Sequence, residues 1–204
     1  VNNPYKVSFD EWESAGAIVP GRSVPEEVKW FVLLNEAEKN NHDTLIETGT
    51  ATGDTLLHVY SFFNKIYSFE LMQTYYEVAK RNTQNISHIT LFNESSAGEQ
   101  FASLINSLTG PALFYLDAHF SGEGTGQDNS LETPDVPVRE ELTIILESPY
   151  KHTIVIDDAR VFQGEEFHSE EYAQYPSMEE IARFVKSKYT VRHEADSFIL
   201  THND

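Results

Sequence analysis

The sequence predicts an α/β protein built on one doubly wound, mostly parallel seven-stranded sheet that ends in an antiparallel hairpin. Three observations predict it. Short β-prone runs alternate with helical patterns through five successive units. The run Ala112 to Leu116 is apolar throughout, as a strand buried on both faces requires. Tyr189 to Glu194 and Ser197 to Thr201 are separated only by Ala195-Asp196, the spacing of a tight hairpin.

Residues 1 to 24 lack clean periodicity and are expected to form an N-terminal arm or lid. Ser23 is expected to cap a first helix, with Pro25, Glu26 and Glu27 in its opening turn and Trp30, Phe31, Leu33 and Leu34 on its apolar face. Thr44 to Glu47 is the first strand. Gly53 to Phe63 reads as a helix from the spacing of Leu56, Leu57, Val59, Tyr60 and Phe63. Strand Ile66 to Phe69, helix Gln73 to Asn82, strand Ile89 to Phe92 and helix Gly98 to Leu108 follow. Gly110-Pro111 turns the chain into the strand ending at Leu116. A polar loop over 121 to 137 precedes helix Val138 to Leu146 and strand Thr153 to Ile156. A second loop, 160 to 176, carries Phe162, Phe167, His168, Tyr172 and Tyr175, which suit either ring stacking or packing. Ser177 with Glu180 makes a capping box for helix Met178 to Lys188. No second domain boundary is visible, so 1 to 204 is read as a single Rossmann-like domain.

Composition narrows the function. The net charge of -19 repels nucleic-acid backbones, and no Lys/Arg cluster offsets it, so no nucleic-acid partner is expected. No run approaches the ~20 apolar residues of a membrane span, and no leader pattern opens the sequence. The expectation is a cytoplasmic protein without a membrane partner. The absence of cysteine removes disulfides, thiolate metal sites and cysteine nucleophiles together.

The residues with chemistry stand where strands end, which is where open α/β sheets bind ligands. After the first strand comes Glu47-Thr48-Gly49-Thr50-Ala51-Thr52-Gly53. Its acid-x-Gly-x-x-x-Gly spacing differs from the G-x-G-x-x-G that cradles a pyrophosphate. Glu70 ends the second strand, where a carboxylate can accept both hydroxyls of a ribose. Asn93, Glu94 and Ser95 end the third and suit an adenine edge. Asp117 and His119 end the fourth strand, and Asp157-Asp158 end the fifth. If these two strands are neighbours, Asp117, Asp157 and Asp158 converge, and three mutually repelling carboxylates call for a divalent cation. An all-oxygen set favours Mg²⁺, Ca²⁺ or Mn²⁺. His119 is then either a fourth ligand or a general base.

The glycine loop with its strand-end acids resembles the cofactor site of class I S-adenosylmethionine (SAM)-dependent methyltransferases. Leu116-Asp117-Ala118-His119 and Ile156-Asp157-Asp158 resemble the metal motifs of the macrocin-type sugar O-methyltransferases and, more distantly, of the catechol and caffeoyl-CoA O-methyltransferases. The resemblance covers about residues 44 to 160. It implies SAM bound by Glu47, Gly49, Thr50, Gly53, Glu70, Asn93, Glu94 and Ser95. It also implies Mg²⁺ held by Asp117, Asp157 and Asp158, and a hydroxyl of a small-molecule or sugar acceptor deprotonated with help from His119 and Asp117. A homodimer is a further implication. One departure stands out: the macrocin-type enzymes carry an acid where this chain has His119. Two other readings fit parts of the pattern, a non-catalytic SAM- or nucleoside-binding module and a metal-dependent hydrolase or lyase on the same fold.

Overall fold

A computed structural model of the chain describes residues 24–119, 136–162 and 175–203. The elements are α1 (Glu26–Asn40), β1 (Thr44–Thr48), α2 (Asp54–Val59), β2 (Lys65–Phe69), α3 (Gln73–Thr83), β3 (Ile89–Phe92), α4 (Glu99–Ser107), β4 (Leu113–Leu116), α5 (Val138–Leu146), β5 (Thr153–Ile156), α6 (Met178–Val185), β6 (Tyr189–Glu194) and β7 (Ser197–His202). The strands form one sheet in the order β3-β2-β1-β4-β5-β7-β6. The first five are parallel, and β7 enters antiparallel between β5 and β6. The expected doubly wound, hairpin-terminated sheet is what forms.

Side chains alternate between faces along each strand, and the two faces bury separate cores. Leu45, Ile66, Leu113, Tyr115, Val155 and Ile199 pack under α1 and α2. Ile46, Phe114, Leu116, Ile154, Ile156 and Phe198 pack under α4, α5 and α6. Every residue of β4 and β5 is buried, so these central strands carry no polar face and function concentrates at their ends.

Local sequence explains most boundaries. The Ser177–Glu180 capping box is present, with Ser177 accepting from the Glu180 N–H and Glu180 from the Ser177 N–H. The β6–β7 turn places Ala195 at φ 50° and Asp196 at φ 60°, the left-handed pair that a two-residue hairpin needs. Three boundaries differ from expectation by more than a residue, one of them the end of α6, which stops at Val185 and not at Lys188. The first helix begins at Glu26, directly after Pro25; the expected cap, Ser23, lies outside the described residues, as does nearly all of the expected arm. The second helix stops at Val59 and tightens into a 3₁₀ turn over Tyr60–Phe62. Asn64 N–H is drawn to Asp43 O at 2.7 Å, which commits Phe63 to extended backbone on the way into β2. Of the aromatics in the second loop, Phe162 and Tyr175 are buried and pack edge-on at 5.1 Å; Phe167, His168 and Tyr172 lie outside the described residues. No described helix is long and apolar enough to cross a membrane.

Candidate active site

The parallel register brings the C-terminal ends of β1, β2, β4 and β5 to one edge, with Thr48 opposite both Phe69 and Leu116, and Leu116 opposite Ile156. β1 leaves the sheet through Gly49 at φ 83°, Ala51 at φ 46° and Gly53 at φ 85°. Gly49 must be glycine for a second reason. A Cβ there would lie 2.4 Å from the Asp117 carbonyl oxygen.

The donors of this loop are already used. Gly49 and Thr50 N–H donate to Phe69 O at 2.9 and 3.2 Å, and Gly53 N–H donates to Thr50 O at 2.8 Å. Ala51 N–H donates to the Glu70 carboxylate at 2.8 Å. Those four groups therefore offer no cradle for a phosphate, which agrees with the spacing. Glu47 and Thr50 are engaged beneath the loop. Thr50 Oγ1 and Ser68 Oγ are 2.6 Å apart, and Ser68 donates to Glu47 at 2.5 Å. Burial pushes the Glu47 carboxyl up to about 8, against the lowering effect of the Ser68 hydrogen bond. Both residues thus brace the loop from below.

Glu70 stands at the rim. Its two oxygens accept from Ala51 N–H and Met72 N–H, each at 2.8 Å. Burial raises its pKa, and these two N–H groups oppose the rise. Asn93 supports the same turn, its amide donating to Glu70 O at 2.8 Å and Leu71 O at 3.1 Å. Glu94 is exposed, and Ser95 Oγ accepts from Ala97 N–H at 3.2 Å.

Across the rim the acids separate into two groups. Asp117, His119 and Asp158 bring possible ligand atoms within 4.8 Å of one another. His119 Nε2 lies 3.0 Å from Asp158 Oδ2, and Nδ1 lies 3.7 Å from Asp117 Oδ1. Asp157 does not join them, contrary to the expected three-carboxylate set. It is 1 % exposed, and its Oδ2 accepts from Lys29 at 2.6 Å and from the Tyr115 hydroxyl at 2.9 Å. The Asp157 charge is compensated inside the fold.

Asp158 takes φ 54°, which turns its carboxylate toward both groups. Oδ1 accepts from Lys29 at 2.9 Å and Arg160 at 2.6 Å, and Arg160 also pairs with Asp196. Burial would raise the Asp158 carboxyl, but His119, Lys29 and Arg160 together hold it well below the usual carboxylate range. Burial, then the charges of Asp157 and Asp158, pushes Asp117 well above its usual range, although about a third of that side chain reaches solvent (32 %). By reach and donor type, Asp117, His119 and Asp158 fit a divalent cation. With an imidazole in the set, Mn²⁺, Fe²⁺ or Zn²⁺ suits it as well as Mg²⁺.

Lys29 and Glu141 were not anticipated, yet both carry a legible signal. Lys29 shares the buried stripe of α1 with Val32, Leu33, Glu36 and Ala37. Glu141 shares that of α5 with Val138, Leu142 and Ile145. A charge at a core position of an amphipathic helix needs a partner or a purpose.

No family model matches the sequence, and no curated protein matches it. Solved structures do match. A Staphylococcus aureus protein provisionally assigned as a caffeoyl-CoA O-methyltransferase aligns with 100% of this chain and 93% of its own, at 14% identity and TM-score 0.62. The N-methyltransferase NodS from Bradyrhizobium japonicum WM9, in complex with S-adenosyl-L-homocysteine (SAH), aligns over 97% and 94% at 12% identity and TM-score 0.56. The O-methyltransferase TomG from Streptomyces achromogenes, involved in tomaymycin synthesis and in complex with SAM, aligns over 94% and 85% at 12% identity and TM-score 0.56. These likenesses show the fold: the chain has the Rossmann-like architecture of class I SAM-dependent methyltransferases.

Proposed function

We propose that the protein is a SAM-dependent methyltransferase that methylates a hydroxyl of a small-molecule or sugar acceptor, assisted by a divalent cation. The observation that carries the reading is Glu70. Two backbone N–H groups fix its carboxylate beside the loop after β1, leaving its remaining lone pairs for a pair of ribose hydroxyls. The loop around Gly49 and Gly53 offers close approach, and its donors at Gly49, Thr50, Ala51 and Gly53 are spent. That combination suits a nucleoside bearing no phosphate. SAM supplies an electrophilic methyl group on a sulfonium.

This chain's residues supply position and charge. Glu70 orients the nucleoside, with Asn93 holding its turn rigid. Asp117, His119 and Asp158 would hold the cation, whose chemistry is to lower the pKa of a bound hydroxyl. His119 serves either as a ligand in that set or as the acceptor of the hydroxyl proton, and the Nδ1–Asp117 and Nε2–Asp158 contacts are compatible with both roles. His119, Lys29 and Arg160 favour the ionised form of Asp158, the form a cation would need.

Calorimetric titration of SAH tests the reading, with Mg²⁺ or Mn²⁺ and again with EDTA. Micromolar binding is expected in the wild type. Glu70→Ala removes two charge-assisted hydrogen bonds and should weaken binding about 100-fold. Wild-type affinity in Glu70→Ala, or no SAH binding under either condition, refutes it. Asp158→Asn should abolish the cation isotherm while SAH still binds.

A further inference from the structure

Three carboxylates that end neighbouring strands need a cation, and this fold already brings one. Lys29 reaches in from the first turn of α1 and is 5 % exposed. Its Nζ lies 2.6 Å from Asp157 Oδ2 and 2.9 Å from Asp158 Oδ1, and Asp117 is near enough to act on its charge. Glu26 follows at 3.8 Å. A buried lysine with two carboxylates in contact stays an ammonium. Arg160, a second fixed cation, meets the same Asp158 Oδ1 at 2.6 Å. Glu141, buried near His119, is answered by Ser96, Thr48 and His119 and asks for no cation of its own.

The two cations divide Asp158. Oδ1 is taken up by Lys29 and Arg160, while Oδ2, 3.0 Å from His119 Nε2, faces the group that includes Asp117. A divalent ion held by Asp117, His119 and Asp158 would therefore share one carboxylate with two fixed positive charges. Salt screens such repulsion only in part where the groups are half-buried. Asp157, which the strand-end pattern offers as a further ligand, is withdrawn from the set by the same lysine.

We infer that Lys29, with Arg160 beside it, is the resident cation of the acid edge: it balances the strand-end carboxylates in place of a metal, so that the edge assembles metal-free and holds a divalent ion weakly and reversibly. The assignment deepens the proposed function and rests on its cation site. Lys29 acts on the ion through Asp158, so it is a positioning residue and not a ligand.

The test uses the full chain with Mn²⁺ as the probe. Free Mn²⁺ is counted by electron paramagnetic resonance, and thermal unfolding is followed in Mn²⁺ and in EDTA. Wild type and Lys29→Arg, which keeps the charge, should bind Mn²⁺ alike and unfold at nearly the same temperature in both solutions. Lys29→Met should bind Mn²⁺ at least tenfold tighter, and the ion should restore part of the stability that the variant loses. Arg160→Gln leaves the buried Lys29–Asp157 pair in place and should also bind more tightly; it decides the matter if Lys29→Met fails to fold. Wild-type Mn²⁺ affinity in Lys29→Met or in Arg160→Gln overturns the inference. So does tightening in Lys29→Arg equal to that in Lys29→Met, or a wild type that Mn²⁺ stabilises as strongly as Lys29→Met. No Mn²⁺ binding by the wild type or any variant refutes the cation site and this inference with it, and leaves the SAH titration to judge the methyltransferase reading separately.

Discussion

Replacing Gly49 by alanine tests how closely β1 and β4 are pressed together at the site. Two costs arise there. The first is backbone handedness: φ is 83°, and an alanine in this region loses about 1–2 kcal/mol. The second is collision. The new Cβ would sit 2.4 Å from Asp117 O, 2.7 Å from Asp117 C and 2.9 Å from Ala118 N. All three are main-chain atoms, so no side chain can swing away. Relief requires the two strand ends to part by nearly an ångström. That strains the hydrogen bond from Asp117 N–H to Thr48 O, now 3.0 Å, for about 1 kcal/mol, and it disturbs packing for a further 1–3 kcal/mol or so. The total is about 3–6 kcal/mol, a large part of a typical domain's stability. At about 2–4 °C per kcal/mol for a chain of this size, the midpoint should fall by about 10–20 °C. Gly53 provides the control. It has nearly the same φ, 85°, but a Cβ there meets only Ala79 Cβ, at 3.4 Å. Gly53→Ala should therefore cost only the handedness term, about 2–8 °C. Gly110→Ala, with nothing within 4 Å, should be close to neutral. Thermal unfolding of the three variants by circular dichroism decides the matter. If Gly49→Ala and Gly53→Ala lose the same amount, the close approach is not what holds glycine at position 49.

The remaining predictions concern buried charges. Glu47 has a folded pKa near 8, so between its unfolded value and 8 the native state binds more protons than the unfolded chain. Stability from this group is present at low pH and is lost as pH rises from about 5 to 8; urea unfolding of Glu47→Gln should show that slope flattened. His152 behaves oppositely. Burial, and then the nearby His42, lowers it to about 4; Nδ1 accepts from Ala112 N–H at 3.0 Å and Nε2 faces Ser148 Oγ at 2.7 Å. Its contribution is intact above about 6.5 and drains as pH falls toward 4, and His152→Gln should remove that acid limb in the same titration. Lys29→Met leaves Asp157 buried without its cation and should destabilise the fold by about 3–5 kcal/mol. A loss below 1 kcal/mol in denaturant titration would show that the Tyr115 hydroxyl, at 2.9 Å, and the Ser197 hydroxyl, at 3.5 Å, compensate Asp157 unaided.

The fold was legible because its signals are local. An unbroken apolar run makes β4, the two-residue gap makes the hairpin, and helical spacing makes α5 with bounds that match the structure. The strand-end acids were legible as a set because a parallel sheet sends all its C-terminal ends to one edge. Their division was not. Adjacent Asp157 and Asp158 look equivalent in sequence, and only the left-handed turn at Asp158 separates them. Lys29 lies 128 residues before Asp157, and no local pattern spans that interval. The same holds for Glu47, whose burial against Ser68 makes it a brace. What could have been read was the misplaced charge. Lys29 and Glu141 each interrupt an apolar stripe, and each proves to lie at the site's edge.

The anchoring of Asp158 has a consequence for how the protein is made. Arg160, which holds this acid, is itself held by Asp196, and Ala159 N–H donates to Asp196 O at 2.7 Å. The turn of the last hairpin is thus a buttress for the rim, and β7 puts it there by pairing with the edge of β5, with β6 outermost. During synthesis the strands through β5 emerge first and can pair among themselves, but the rim stays unfinished until residues beyond 196 have left the ribosome. A nascent chain stalled before β7 should carry the Glu70 edge of the site without a settled acid edge. Competence then waits on the docking of the last hairpin against β5.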